Sequence, residues 1–287
     1  MIRAKAAMKS IDIHVHIQPW EMFTPAVLET FRKGKKDFDD VRRYCDDPVA
    51  FLNYLDSQQV ERAGLINYVS DLMGFTSETN DFISRYCQQD PDRLIAFGGV
   101  DPRRPGVEAE MSRLLGQLRI RAIKIHPPHQ EFAANAYRHE LPELAAVYRI
   151  CENEGVPVTI HTGTSIFPGA RNVYADPMAC DDVAVDFPNL KLLLAHGGRP
   201  IWMETAFFLM RRHKNLYLDI SGIPPQRLLE YFPRFVEIAD RALFGSDWPS
   251  PGVPDIAENV KRFQALGLSP EIQRRVLYGN AAALLDQ

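Results

Sequence analysis

Eight short apolar runs rich in valine, isoleucine and leucine punctuate the chain, and each leads through a polar turn into a segment with helical spacing. They are Ile11–His16, Arg62–Val69, Leu94–Val100, Ile120–His126, Val156–His161, Leu190–His196, Leu216–Ile220 and Ala242–Asp247. Their ends lie 24 to 53 residues apart, close to one strand–helix–strand unit except for the long first interval. Strands that each feed a helix make a parallel sheet covered on both faces, and eight such units close into a (β/α)8 TIM barrel. A chain of 287 residues has the length of one such barrel, so residues 1–287 read as a single domain.

The connecting segments carry their own signals. Asp47-Pro48 starts a helix that runs to Gln59, with Asp47 as N-cap and Pro48 at the first helical position. Leu141-Pro142 leads into Glu143–Glu154, which Gly155 ends as a C-cap. Pro224-Pro225 precedes a third helix at Gln226–Ala239. The stretch Ile17–Val60 is longer than one helix needs, which predicts a small insertion after the first strand, placed over the mouth of the barrel. Within it, Arg32–Asp37 reads as a solvated surface loop.

Composition narrows the function classes. The chain is 46% hydrophobic and 24% charged, enough to bury a large core, which excludes a disordered or fibrous protein. Lys and Arg number 33 against 37 Asp and Glu, so there is no basic surplus for phosphates and nucleic acid is not an expected partner. No apolar run approaches the roughly 20 residues of a membrane span. The basic opening Met1–Lys9 lacks a sustained apolar stretch, so no secretory signal is expected. Cys45, Cys87, Cys151 and Cys180 fit neither a zinc knuckle nor a disulfide framework and read as reduced thiols of a cytoplasmic protein. A homodimer is expected only as the commonest arrangement for soluble enzymes.

The chemistry sits at the strand ends. His14 and His16 are two apart in a strand and share one face. His161, His196 and Asp247 close the fifth, sixth and eighth runs. In a TIM barrel the C-terminal ends of the strands carry the active site, so all five side chains converge there. Titratable groups buried together and left unpaired would each cost about 1–3 kcal/mol. As ligands of a divalent cation they stabilise the fold instead.

The ordered set Asp12-Ile13-His14-Val15-His16-Ile17-Gln18-Pro19, Ile160-His161-Thr162-Gly163, Ala195-His196-Gly197-Gly198 and Phe244-Gly245-Ser246-Asp247-Trp248-Pro249 resembles the amidohydrolase superfamily. The resemblance is to its amidohydrolase-related branch, which holds aminocarboxymuconate-semialdehyde decarboxylase-like enzymes, resorcylate-type decarboxylases and metal-dependent hydrolases. It extends to the closing segment Leu277-Tyr278-Gly279-Asn280-Ala281-Ala282-Ala283-Leu284-Leu285. The resemblance implies that His14, His16, His161 and Asp247 bind one divalent metal. It also implies that His196 and Asp247 are catalytic, His196 standing beside the metal-bound water. Three imidazoles and a carboxylate suit Zn2+, and also Mn2+ at higher coordination number.

Lys124 ends the fourth run in Ala122-Ile123-Lys124-Ile125-His126-Pro127. Binuclear relatives place a carboxylated lysine there bridging two metals; the competing role is an ammonium that binds a substrate carboxylate. His126 shares the face of Lys124. Arg103, Arg104, Arg171 and Arg199 follow strand ends, with Arg199, directly after His196-Gly197-Gly198, the best placed to grip a carboxylate. Trp248, with Trp20 and Phe23, is a candidate aromatic wall for the substrate.

The leading function is a metal-dependent hydrolase that acts on a small carbonyl or carboxylate substrate. The alternative is a non-oxidative decarboxylase of an aromatic or muconate-type acid at the same site. Serine hydrolysis lacks its Gly-x-Ser-x-Gly elbow, and nucleotide chemistry lacks its glycine-rich loops. A barrel that binds metal without catalysis is disfavoured by the full ligand set.

Overall fold

The computed structural model describes residues 9–35 and 37–286. Eight parallel strands lie side by side in chain order: β1 Ser10–Val15, β2 Val60–Ile66, β3 Leu94–Gly98, β4 Ala122–Ile125, β5 Val158–His161, β6 Leu192–Ala195, β7 Leu216–Asp219 and β8 Ala242–Leu243. The circle closes between β8 and β1 through backbone hydrogen bonds. Ile13 N–H donates to Phe244 O (3.1 Å), Asp247 N–H to His14 O (2.9 Å) and His16 N–H to Trp248 O (2.8 Å). Nearly every strand residue is buried, as a parallel sheet covered by helices requires. The register sets His161 beside Ala195 and Ala195 beside Asp219, so three strands end at one level of the rim.

The regular part of β8 is shorter than the run that announced it. Asp247 turns into the left-handed region (φ 66°), and Phe244–Trp248 leaves the β7 ladder while keeping its bonds to β1. The helix read at Gln226–Ala239 is also corrected. It is a broken series, Pro225–Arg227, Leu228–Tyr231 and Phe235–Glu237, because Pro233 has no N–H to donate to a helical turn and its ring clashes with the turn before it. By contrast Glu143–Glu154 is helical as read, and Gly155 ends it at φ 68°.

The insertion holds α1 (Pro25–Gly34), α2 (Phe38–Asp46) and α3 (Pro48–Ser57). The Asp47 side chain caps α3 by accepting from Val49 and Ala50 N–H at 2.9 and 3.0 Å. Trp20 packs edge-on against Phe23, Phe31 and Phe38 with ring centroids 5.0–5.5 Å apart. Phe31 then reaches Phe167 of the loop after β5 (5.5 Å), which seats the insertion over the barrel mouth. The solvated loop expected at Arg32–Asp37 is not what forms. Arg32–Gly34 complete α1, and Lys35 is buried, its Nζ donating to Val253 O (2.7 Å). Lys36 and the opening Met1–Met8 lie outside the described residues. Among the described residues no helix is long and apolar enough to cross a membrane. The four cysteines are unpaired and buried.

Candidate metal centre and its cavity

A cavity of about 610 Å3 opens at the C-terminal ends of the strands. On its β1, β7 and β8 side the imidazoles meet carboxylates. His14 Nδ1 donates to Asp219 Oδ2 (2.5 Å), with Ser221 Oγ a further 3.1 Å contact. A neutral imidazole carries one proton, so Nε2 of His14 is left bare; it is buried and has no hydrogen-bond partner among the described residues. That nitrogen faces Asp247 Oδ1 at 3.6 Å, and His16 Nε2 donates to the same oxygen at 3.1 Å. Burial alone would raise the Asp247 carboxyl, but the His16 hydrogen bond and the electrostatic field of the His14, His16 and Arg199 side chains carry it down to about 2. Burial lowers His14, and Asp219 opposes that shift.

His196 stands just past β6 in the left-handed region (φ 67°), a conformation a non-glycine residue holds only when its surroundings fix it. Its Nδ1 donates to Ser221 O (2.9 Å), which leaves Nε2 free. Burial pushes His196 well below the ordinary histidine range, so it is neutral. Donor atoms of His14, His196 and Asp247 lie within 4.8 Å of one another, all buried. A bare buried imidazole nitrogen beside an ionised carboxylate fits a divalent cation. Two glycines make the approach possible. A Cβ on Gly245 would lie 2.7 Å from both Asp219 Oδ1 and His14 Cβ, and one on Gly222 would lie 2.9 Å from Asp247 Oδ2.

His161 closes β5 as expected, but its Nε2 donates to Gly163 O (3.0 Å). It belongs to a column of rings: His129 stacks on His126 (3.5 Å), His126 on His161 (3.9 Å), and His161 meets His196 edge-on (4.7 Å). Burial pushes His126 and His161 well below the usual range and His129 to about 3, so the column is neutral. Lys124, which lines the same cavity, is fully buried with no partner for Nζ among the described residues, and burial lowers it to about 8 despite Asp219 and Asp247.

The remaining candidates divide cleanly. Lys124, His126 and Arg199 line the cavity, the Arg199 guanidinium donating to Gly222 O. Arg103 is tied to Asp101 and Arg104 to Asp71, and Arg171 stands on the surface; none lines it. The aromatic wall is corrected too. Trp248 is stacked on Tyr54 (4.9 Å) behind the rim, Trp20 and Phe23 are core, and Phe31 faces the cavity instead.

The roles of two site residues escaped the sequence reading. Asp219 had a usable signal, an acid closing a strand. Asp12 opens the motif that holds His14 and His16 but carried no assigned role: its Oδ1 accepts from His14 and Ser246 N–H (3.1 and 2.9 Å) and so ties β1 to β8, while burial raises its pKa to about 7.

Fold and site together define an eight-stranded barrel with a metal-capable His/Asp centre at its C-terminal rim. The amidohydrolase family model matches residues 11–287, and the chain belongs to that family. Among solved structures it is similar to an uncharacterised TIM-barrel protein of Bordetella bronchiseptica (21% identity, 97% of this chain and 99% of the other, TM-score 0.74). It is similar also to a dihydroxybenzoic acid decarboxylase of Polaromonas sp. JS666 with bound manganese (18%, 98% and 97%, 0.69). A third is 5-carboxyvanillate decarboxylase of Sphingomonas paucimobilis (18%, 98% and 99%, 0.65). No curated protein matches the chain in sequence.

Proposed function

We propose that the protein is a metal-dependent enzyme that releases CO2, without oxidation, from a small aromatic or muconate-type acid. Hydrolysis of a small carbonyl compound at the same site is the second reading. The observation that carries an acidic substrate is Lys124. It is a buried ammonium without a partner, on a cavity lined by a single acid, Asp247, among the described residues. Of the other lining cations, Arg227 and Arg262 are paired with Glu230 and Glu258, whereas Arg199 bonds only a backbone carbonyl. An unpaired buried charge is costly, and an anion bound there removes the cost. Decarboxylation is preferred to hydrolysis because two of the similar structures are decarboxylases.

We assign His14, His16, His161 and Asp247 as the metal ligands. The Gly163 hydrogen bond now held by His161 is worth about 1 kcal/mol, little beside a metal–ligand bond. The donor set suits Zn2+, and the manganese of the Polaromonas structure supports Mn2+ as the other choice. A carboxylated Lys124 bridging a second ion has less support, since the described residues gather one metal-capable group. When bound, the ion supplies positive charge against the substrate's oxygen atoms.

Lys124 and Arg199 then hold the substrate acid, and Phe31 with the insertion keeps water out. His196, fixed through Nδ1, offers its free Nε2 to take or return a proton. His196 Nε2 takes the proton of the substrate acid, the bond to the carboxyl carbon breaks with its electron pair staying on the substrate carbon, that carbon takes the same proton back from Nε2, and CO2 leaves. The test is metal-reconstituted protein with a panel of hydroxybenzoates and lactones, scored for CO2 against acid release. CO2 evolution is expected; acid release without CO2 transfers the site to hydrolysis.

A further inference from the structure

The loop after β5 carries a hydroxyl whose hydrogen bonding is filled on every side but one. Ser165 N–H donates to Asn172 Oδ1 (2.8 Å), and Asn172 Nδ2 donates back to Ser165 O (3.2 Å), so the main chain is clamped. Ser165 Oγ lies 2.7 Å from His129 Nε2 and accepts from Phe167 N–H (3.3 Å). The other nitrogen of His129, Nδ1, lies 2.9 Å from the Tyr68 hydroxyl. A neutral imidazole donates through one nitrogen and accepts through the other. One of the two hydroxyls is therefore left with a proton that no protein atom accepts. Tyr68 is buried and Ser165 only half-buried, and a free O–H costs less where a ligand or water can reach it. So Tyr68 donates to Nδ1, Nε2–H donates to Ser165, and the Ser165 proton points into the cavity that all three residues line.

A second unfilled group stands beside it. His126 Nδ1 is buried without a partner among the described residues, its ring held between His129 and His161. Lys124 lines the same cavity, and no acid lines this wall among the described residues. We propose that the β4–β5 wall is a subsite for a second carboxylate of the substrate, received by the Ser165 hydroxyl, with His129 and Tyr68 as the positioning residues that aim it. This rests on the reading of the cavity as the place where an acid is turned over, and it narrows that acid to a dicarboxylate, one carboxylate at Lys124 and Arg199 and the other at Ser165.

The test compares benzoate, with one carboxylate, against isophthalate, with two, by calorimetry on the metal-loaded protein. Wild type is expected to prefer isophthalate by roughly tenfold, the scale of one charge-assisted hydrogen bond. Ser165→Ala should remove the preference and leave benzoate binding unchanged, and Ser165→Thr, which keeps the hydroxyl, should restore it. Equal binding of both probes by wild type, or a preference that survives Ser165→Ala, overturns the subsite while the acid-binding cavity stands. Failure of both probes to bind overturns the proposed function and the subsite with it. Independently of any ligand, 15N spectra should find His129 protonated at Nε2 in wild type, with that preference reduced in Tyr68→Phe. A wild-type His129 protonated at Nδ1 reverses the aim of the relay and sinks it.

Discussion

The two halves of the barrel rim use the same side chain in opposite ways. Around β1, β7 and β8 the imidazoles of His14 and His16 hydrogen-bond to carboxylates, Asp219 and Asp247. Around β4 and β5 the imidazoles of His126, His129 and His161 stack on one another, and their bonded nitrogens meet a backbone carbonyl and two hydroxyls. A carboxylate behind an imidazole makes its far nitrogen a better donor to a cation. The column has no carboxylate behind it and shares the cavity with a buried lysine, so apart from His161, its end nearest His196, which we assign to the metal, it favours an anion. The contrast gives the cavity a polarity, metal on one side and acid on the other, set by what stands behind each ring.

The largest effects should come from breaking the metal half. His14→Ala and Asp247→Ala are expected to take metal content, measured by elemental analysis, from one ion per chain to near zero and to abolish turnover. His161→Ala should lose metal in the same way, whereas His196→Ala should keep it and lose turnover. Metal lost from His196→Ala but kept in His161→Ala would move the ligand to the atom that already faces His14 and Asp247.

The next effect lies in the anion half and concerns stability. Burial lowers Lys124 from 10.5 to about 8 in the metal-free protein. Between those values the unfolded chain holds a proton that the folded chain has released, so stability rises with pH across the window and the cost is full below it. Lys124→Met should remove that slope and raise stability near pH 7 by up to about 3 kcal/mol, read by urea denaturation, while weakening acid binding and sparing metal content. A variant whose stability still climbs between pH 8 and 10.5 as in wild type would show that another group is responsible.

The smallest effect tests what stands behind the ring. Asp219→Asn loses the anionic partner of His14 Nδ1, and metal affinity by chelator competition should fall about 10–100-fold. Unchanged affinity would mean that the acid serves packing alone.

The strands were legible because a β-branched run bounded by turns is a local signal, and so was Glu143–Glu154 with its Gly155 stop. The break at Pro233 is also a local signal, a proline inside a segment of helical spacing. Lys35 is different: a lysine in a charged stretch reads as solvated, and only the carbonyl of Val253, brought across from the far end of the chain, makes it internal. Trp248 belongs to the core for the same kind of reason, since Tyr54 covers it.

The barrel and the candidate imidazoles and carboxylate at its rim are written in the residue order, because strand period and the residue closing each strand occupy consecutive positions. Tertiary structure alone decided what each imidazole does. The second nitrogen of His14 meets an acid 205 residues away, and that of His129 a tyrosine 61 residues away. Protonation, tautomer and charge are set by such partners, and closing the barrel is what brings them together.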